Sequence, residues 1–217
     1  MSAYGLGNEH DGPYVDGMNE HHTQLCPSPE WASHIQDDVL PSLVGIADLG
    51  ESMLELGPGP GAATEWLRLR VRRLVALEAD EAASTLLSQR YAGTNVEVVR
   101  GEASDMNFAS ETFDSVGSFT MLHHLPTFHA QQALLHEAFR VLKPGGVFLG
   151  SDSLASNDLH HFHADDDYNP VDPASFLTRL QVVGFTNLTI VVDGNLKFVA
   201  HKPDPSVNDR CDREEKE

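Results

Sequence analysis

Glu55-Leu56-Gly57-Pro58-Gly59-Pro60-Gly61 joins a carboxylate to three glycines spaced by single residues. Gly57 and Gly59 leave room for backbone to approach a nucleotide-type ligand, and Gly57, Gly59 and Ala62 also satisfy G-x-G-x-x-A. Three further segments carry groups able to do chemistry. Glu78, followed by Ala79, can accept both ribose hydroxyl hydrogens of an adenosine ligand. Gly101-Glu102-Ala103 offers an acid and an amide to an adenine amino group and ring. The segment from Phe113 to Pro126 ends in His123 and His124, imidazoles whose unperturbed pKa near neutrality suits proton transfer. A ligand-free glycine turn, a solvated strand-end glutamate and packed loop histidines stay open as plainer readings of these groups.

Such groups must be held by elements that end at one edge. Short apolar runs alternate with amphipathic stretches, which predicts a parallel sheet with crossover helices. The predicted strands are Met53 to Leu56, Leu74 to Leu77, Val96 to Val99, Asp114 to Phe119 and Val147 to Gly150, with helices around Ala62 to Arg70, Glu81 to Arg90 and His129 to Leu142. Lys143-Pro144-Gly145-Gly146 should stop the last helix. Each chemistry-bearing segment thus follows a predicted strand, at its carboxyl end.

Before the first strand, a helix is expected from Pro27, with Ser28 as cap, Pro29 in the first turn and Trp31, Ile35, Val39 and Leu40 at helical spacing. Leu40-Pro41 should weaken it, since proline disfavours helical geometry in the residue before it. After the fifth strand comes a less regular insert, Ser151 to Asp172, then a helix near Pro173 that ends at Gly184. Leu188 to Val192 and Leu196 to Ala200, around Asp193-Gly194-Asn195, predict a terminal antiparallel hairpin. The expected organisation is a flexible segment over 1–26, one domain over 27–202 and a disordered tail over 203–217.

Fourteen basic against 33 acidic residues give a formal net charge of −19. Such a surface repels polyanions, so neither a nucleic acid nor an anionic membrane is expected as partner. Arg68, Arg70, Arg72 and Arg73 read as a solvated helix face rather than a basic patch. Cys26 and Cys211 lie at opposite ends and make neither a disulfide framework nor a metal motif. No leader-like or membrane-spanning run is read, so a soluble cytoplasmic protein is expected.

MLELGPGPG, LVALEAD, VVRGEA, FDSVGSFTMLHHLP and FRVLKPGGVFLGSD, in this order and spacing, resemble the motif series of class I S-adenosylmethionine-dependent methyltransferases, nearest in pattern to those of ubiquinone and menaquinone biosynthesis. The resemblance runs from about Trp31 to Lys202. It implies a single doubly wound, Rossmann-like α/β domain with a seven-stranded, mostly parallel sheet in the order 3-2-1-4-5-7-6 and an antiparallel last strand. It also implies S-adenosyl-L-methionine as cofactor. Glu55 with the backbone of Gly57 and Gly59 would hold its methionine end, Glu78 with Ala79 the ribose, and Glu102 with Ala103 the adenine. Ser118 and Phe119 would lend backbone groups beside the sulfonium. Glu55 and Glu102 stand where the family usually has aspartate, one methylene shorter, and Pro58 replaces a frequent cysteine.

The implied function is transfer of a methyl group to a small-molecule acceptor, with His124 or His123 as general base. The insert would form the acceptor wall through Asp152, His160, His161, His163, Asp165, Asp166, Asp167 and Tyr168. His160, His161, His163 and Asp165 have the donor types for zinc, but solvated loop side chains explain them as well and no metal is assigned. The helix at Trp31 to Val39 and the loop at His21-His22 would close the cavity opposite. Two alternatives stand beside this reading: a binding protein that keeps the cofactor site without catalysis, and a nicotinamide-dependent oxidoreductase. The latter offers no account of GEA, LKPGG and the hairpin together. Neither the acceptor nor the oligomeric state follows from the sequence.

Overall fold

The computed structural model describes residues 25–164 and 167–206. The expectations for the segment before Leu25, including His21 and His22, for Asp165 and Asp166, and for the tail after Ser206 lie outside the described residues.

Seven strands form one sheet in the order β3-β2-β1-β4-β5-β7-β6. They are β1 (Ser52–Leu56), β2 (Arg73–Glu78), β3 (Val96–Arg100), β4 (Phe113–Phe119), β5 (Leu142–Ser153), β6 (Thr186–Val192) and β7 (Asn195–His201). The first five pair in parallel, whereas β7 runs antiparallel to both β5 and β6, as the hairpin signal predicted. Gly194 makes the turn at φ +83°.

Alternation along the strands feeds two cores, one on each face of the sheet. Leu54, Leu56, Val116 and Phe148 join Leu134, Leu135, Phe176 and Leu180 on one face. Met53, Leu74, Val147 and Leu149 join Ile35, Val39, Leu40 and Leu67 on the other. The helices over these faces are capped by side-chain oxygens: Asp80 over Glu81–Arg90, Thr127 over Phe128–Val141 and Asp172 over Pro173–Val183.

Two local expectations take a specific form. Pro41 weakens the first helix without ending it: Pro29–Ser33, a π-helical stretch His34–Val39 and Leu40–Val44 follow one another without a break. Leu40 stays helical at φ −61°, ψ −45°, and its N–H bonds back five residues to Ile35. The wider π turn makes room for a ring that an α turn would press against a carbonyl. Lys143-Pro144-Gly145-Gly146 does follow the helix end at Val141, but as a bulge inside β5. Phe113 pairs with Leu142 and Ser115 with Val147, so three extra residues are looped out, with Gly145 at φ +77°.

Arg68 pairs with Glu65, Arg72 with Glu51 and Arg73 with Glu97, while Arg70 lies over the Trp66 ring. These arginines therefore offer no continuous cationic face. Among the described residues no helix is long and apolar enough to cross a membrane.

Candidate active site

The loops that leave β1, β2, β3 and β4 surround a cavity of about 250 Å³. Of the residues singled out from the sequence, Glu55, Gly57, Gly59, Glu78, Ala79, Glu102, Ala103, Phe119 and His124 all line it. Ser118 does not: its side chain is fully buried within the sheet, between Leu56 and Gly150. His123 does not either, being 3% exposed and turned into the protein. Among the described residues, the lining holds three carboxylates and no lysine or arginine.

Glu55 sits near the end of β1, on the face covered by helix Ala62–Leu67, where the Thr64 hydroxyl donates to it at 2.7 Å. It is 1% exposed, and burial pushes its pKa up to about 8; the Thr64 bond opposes the rise and the nearby Glu78 charge adds to it. Glu78 accepts from the Gly59 N–H through one oxygen and the Asp80 N–H through the other, each at 3.1 Å. Burial raises its pKa as well, against the pull of these two bonds. Gly59 stands at φ +52°, and a side chain there would meet no atom within 4 Å, so the space beside the loop is left for a ligand. Glu102 is exposed at the rim, and its backbone bridges to Asp105 around Ala103.

At the other end, β4 leads into a single 3₁₀ turn, Leu122–His124. Thr120, at the strand end, has φ +54°, a strained conformation for a β-branched residue, and lines the cavity. Asp152, fully buried at the end of β5, accepts from the Leu122 N–H at 2.9 Å, from His123 Nδ1 at 2.6 Å and from the Ser153 N–H at 2.8 Å. Gln131 donates to the carbonyls of Leu122 and Asn169, and Arg179 Nη1 donates to the Gln131 oxygen at 2.9 Å. The Asn169 N–H in turn donates to the His123 carbonyl at 2.8 Å. The turn that carries both histidines is thus fixed from three sides.

None of the described insert residues lines the cavity. Asp152 lies in the core instead of a wall, because its carboxylate is consumed by the Leu122–Ser153 network, and His160 and His161 are exposed on helix Asn157–Phe162. His163 alone turns inward, its ring centroid 4.9 Å from His123 and 5.3 Å from His124. The opposite wall includes Trp31 and Ile35, as expected of the first helix, and also Cys26. Thr64, Thr120 and Gln131 were not foreseen. Of these only Gln131 leaves a mark in sequence, as a polar residue on the buried face of a helix otherwise filled by Leu134, Leu135 and Ala138.

Residues 54–150 match the family profile described as a methyltransferase domain. Over these residues, a little under half of the chain, the sequence is similar to a methyltransferase domain. A protein of Mycolicibacterium smegmatis described as a probable S-adenosylmethionine-dependent methyltransferase is 33% identical over 102 residues, 47% of this chain and 38% of that one. The phthiotriol/phenolphthiotriol dimycocerosates methyltransferase 1 of Mycobacterium ulcerans is 31% identical over 118 residues, 54% of this chain and 42% of that one. The match therefore spans about two fifths of the length of these curated relatives. A solved structure from Pyrococcus horikoshii OT3 shares the fold, with a TM-score of 0.68 at 19% identity over 82% of this chain and 93% of that one. The matched residues end at Gly150, so Asp152 and the insert lie beyond them.

Proposed function

We propose that the protein transfers a methyl group from S-adenosylmethionine to a small-molecule acceptor held at the His124 end of the cavity. The observation that carries this reading is the pair of desolvated carboxylates, Glu55 and Glu78, in a lining whose described residues include no lysine or arginine. Such a wall favours a ligand that brings positive charge. S-adenosylmethionine fits, having a sulfonium and an ammonium group, whereas a dinucleotide would bring its pyrophosphate against the same acids. When bound, it supplies an electrophilic methyl carbon on a positively charged sulfur.

Glu55 and the Gly57 and Gly59 backbone would hold the methionine end, Glu78 with Ala79 the ribose, and Glu102 with Ala103 the adenine. The backbone of Ser118 and Phe119 would flank the sulfonium. Trp31, Ile35, Phe119 and Leu125 keep water from the transfer and suit an acceptor with an apolar body. His124 stands where the acceptor must lose its proton, and His123, tied to Asp152, braces the turn behind it. The net charge of −19 and the relative named for phthiotriol favour a small molecule over a nucleic acid.

Calorimetric titration with S-adenosylmethionine, S-adenosylhomocysteine and the nicotinamide dinucleotides tests the reading. Micromolar binding of the adenosyl ligands alone, about −8 kcal/mol, is expected. Binding of a dinucleotide, or of none of them, overturns it.

A further inference from the structure

We propose that His123, His124 and His163 form a site for a divalent transition-metal ion of the zinc type at the acceptor end of the cavity. One nitrogen from each imidazole lies within 4.8 Å of the other two. Tetrahedral zinc, with Zn–N bonds of about 2.0–2.1 Å, holds its nitrogens roughly 3.3 Å apart, a distance that modest ring rotations reach.

The surroundings select the nitrogens a metal needs. Asp152 accepts from His123 Nδ1 at 2.6 Å and is itself fully buried, so this histidine presents Nε2 as its lone-pair atom. His163 Nδ1 faces the Leu159 carbonyl at 2.7 Å, which again leaves Nε2 as the basic nitrogen. The Tyr168 ring stacks on His163 at 4.4 Å and 24°, fixing its plane. A carboxylate behind one imidazole and a backbone carbonyl behind another are the partners that orient metal-binding histidines. Three imidazoles favour zinc, cobalt, nickel or copper over magnesium and calcium. The donors also differ from the set that composition suggested: among its described histidines, His160 and His161 point to solvent and His163 reaches the turn after β4.

Three protein ligands leave a fourth position open. His124 lines the cavity, so that position faces the acceptor. An ion there would hold an acceptor hydroxyl or thiol and lower its pKa, its proton passing to water, which makes the histidines ligands rather than free bases. This role rests on the methyl-transfer reading; the metal site itself does not.

The full chain, stripped with chelator, is titrated with Co²⁺ and followed by visible absorption, then by Zn²⁺ competition. One Co²⁺ per chain with the intense bands of a four-coordinate ion is expected, displaced by Zn²⁺ and indifferent to Mg²⁺. His163→Ala and His163→Gln should each weaken binding at least tenfold, with S-adenosylmethionine affinity and circular dichroism reporting that the fold is intact. The double variant His160→Ala/His161→Ala should bind as the parent does. Should both His163 variants misfold, a Co²⁺-dependent rise in the parent's Tm still has to appear. Absence of binding, or binding lost with His160 and His161 but kept without His163, overturns the site. Metal bound through His163 in a chain that ignores S-adenosylmethionine supports the site and overturns only the methyl-transfer reading.

Discussion

At the Glu55–Glu78 end the cavity wall is backbone and carboxylate, set by short loops that leave adjacent parallel strands; at the His124 end it rests on side chains brought from segments far apart in sequence. Glu78 reaches Gly59 across 19 residues, through loops that the β1–β2 pairing already places side by side. Leu122 and His123 depend instead on Asp152, Gln131 and Asn169, and through Gln131 on Arg179. The first end needs the sheet and three glycines. The second needs a buried polar network, in which each member left unsatisfied costs more than its bond contributes. The Glu55–Glu78 end, the proposed cofactor end, should therefore tolerate side-chain loss with a change in affinity, and the His124 end, the proposed acceptor end, should answer with a change in stability.

The largest effect tests the acceptor end. Asp152→Ala removes the acceptor for His123 Nδ1 and for the Leu122 and Ser153 N–H groups in a fully buried place. A loss of about 3 kcal/mol in urea unfolding is expected. A loss under about 1 kcal/mol would mean that the network does not set the turn, and the contrast between the ends would fail. Glu78→Ala is the matching cut at the cofactor end. It should weaken S-adenosylmethionine binding by about 1–3 kcal/mol, measured by calorimetry, and shift the unfolding midpoint less than Asp152→Ala does. A stability loss as large as that of Asp152→Ala, with affinity unchanged, would reverse the assignment.

The same difference decides what could be read from sequence. The antiparallel hairpin and the Glu55, Gly57, Gly59, Glu78 and Ala103 positions follow from local pattern, since each lies in or just after a strand whose apolar run is visible, whereas the strand order is implied by the resemblance and not by local pattern. Helix Glu81–Arg90 begins and ends where its cap and periodicity place it. Pro41 weakens the first helix only as far as a π turn, and Lys143–Gly146 does follow a stopped helix; what local pattern left unread is that β5 already begins at Leu142 and carries these residues as a bulge. Asp152, His160, His161 and His163 could not be sorted by spacing. Their separation into core carboxylate, exposed helix face and inward imidazole depends on where helix Asn157–Phe162 settles against the turn after β4, a tertiary matter. Gln131 and Arg179 lie 48 residues apart and meet only across two packed helices.

The smallest effect sharpens the comparison from the cofactor end. In the folded chain Glu55 keeps its proton up to about pH 8, whereas released by unfolding it ionises near its ordinary 4.5. Between those values the folded state binds more protons than the unfolded one, so this group's contribution to stability is full below about 4.5 and is lost as pH rises to about 8. The slope from one such group is at most about 1.4 kcal/mol per pH unit. Urea unfolding of the parent and of Glu55→Gln between pH 5 and 8 isolates it: the parent should lose stability relative to the variant as pH rises. A cationic ligand reverses the preference, because its charge favours the carboxylate form. Binding of S-adenosylmethionine near pH 7 should then release a proton, seen as a dependence of the calorimetric heat on the ionisation enthalpy of the buffer, and Glu55→Gln should abolish that release. Binding without proton release, or a parent and variant with the same pH slope, would mean that Glu55 is already ionised in the empty cavity.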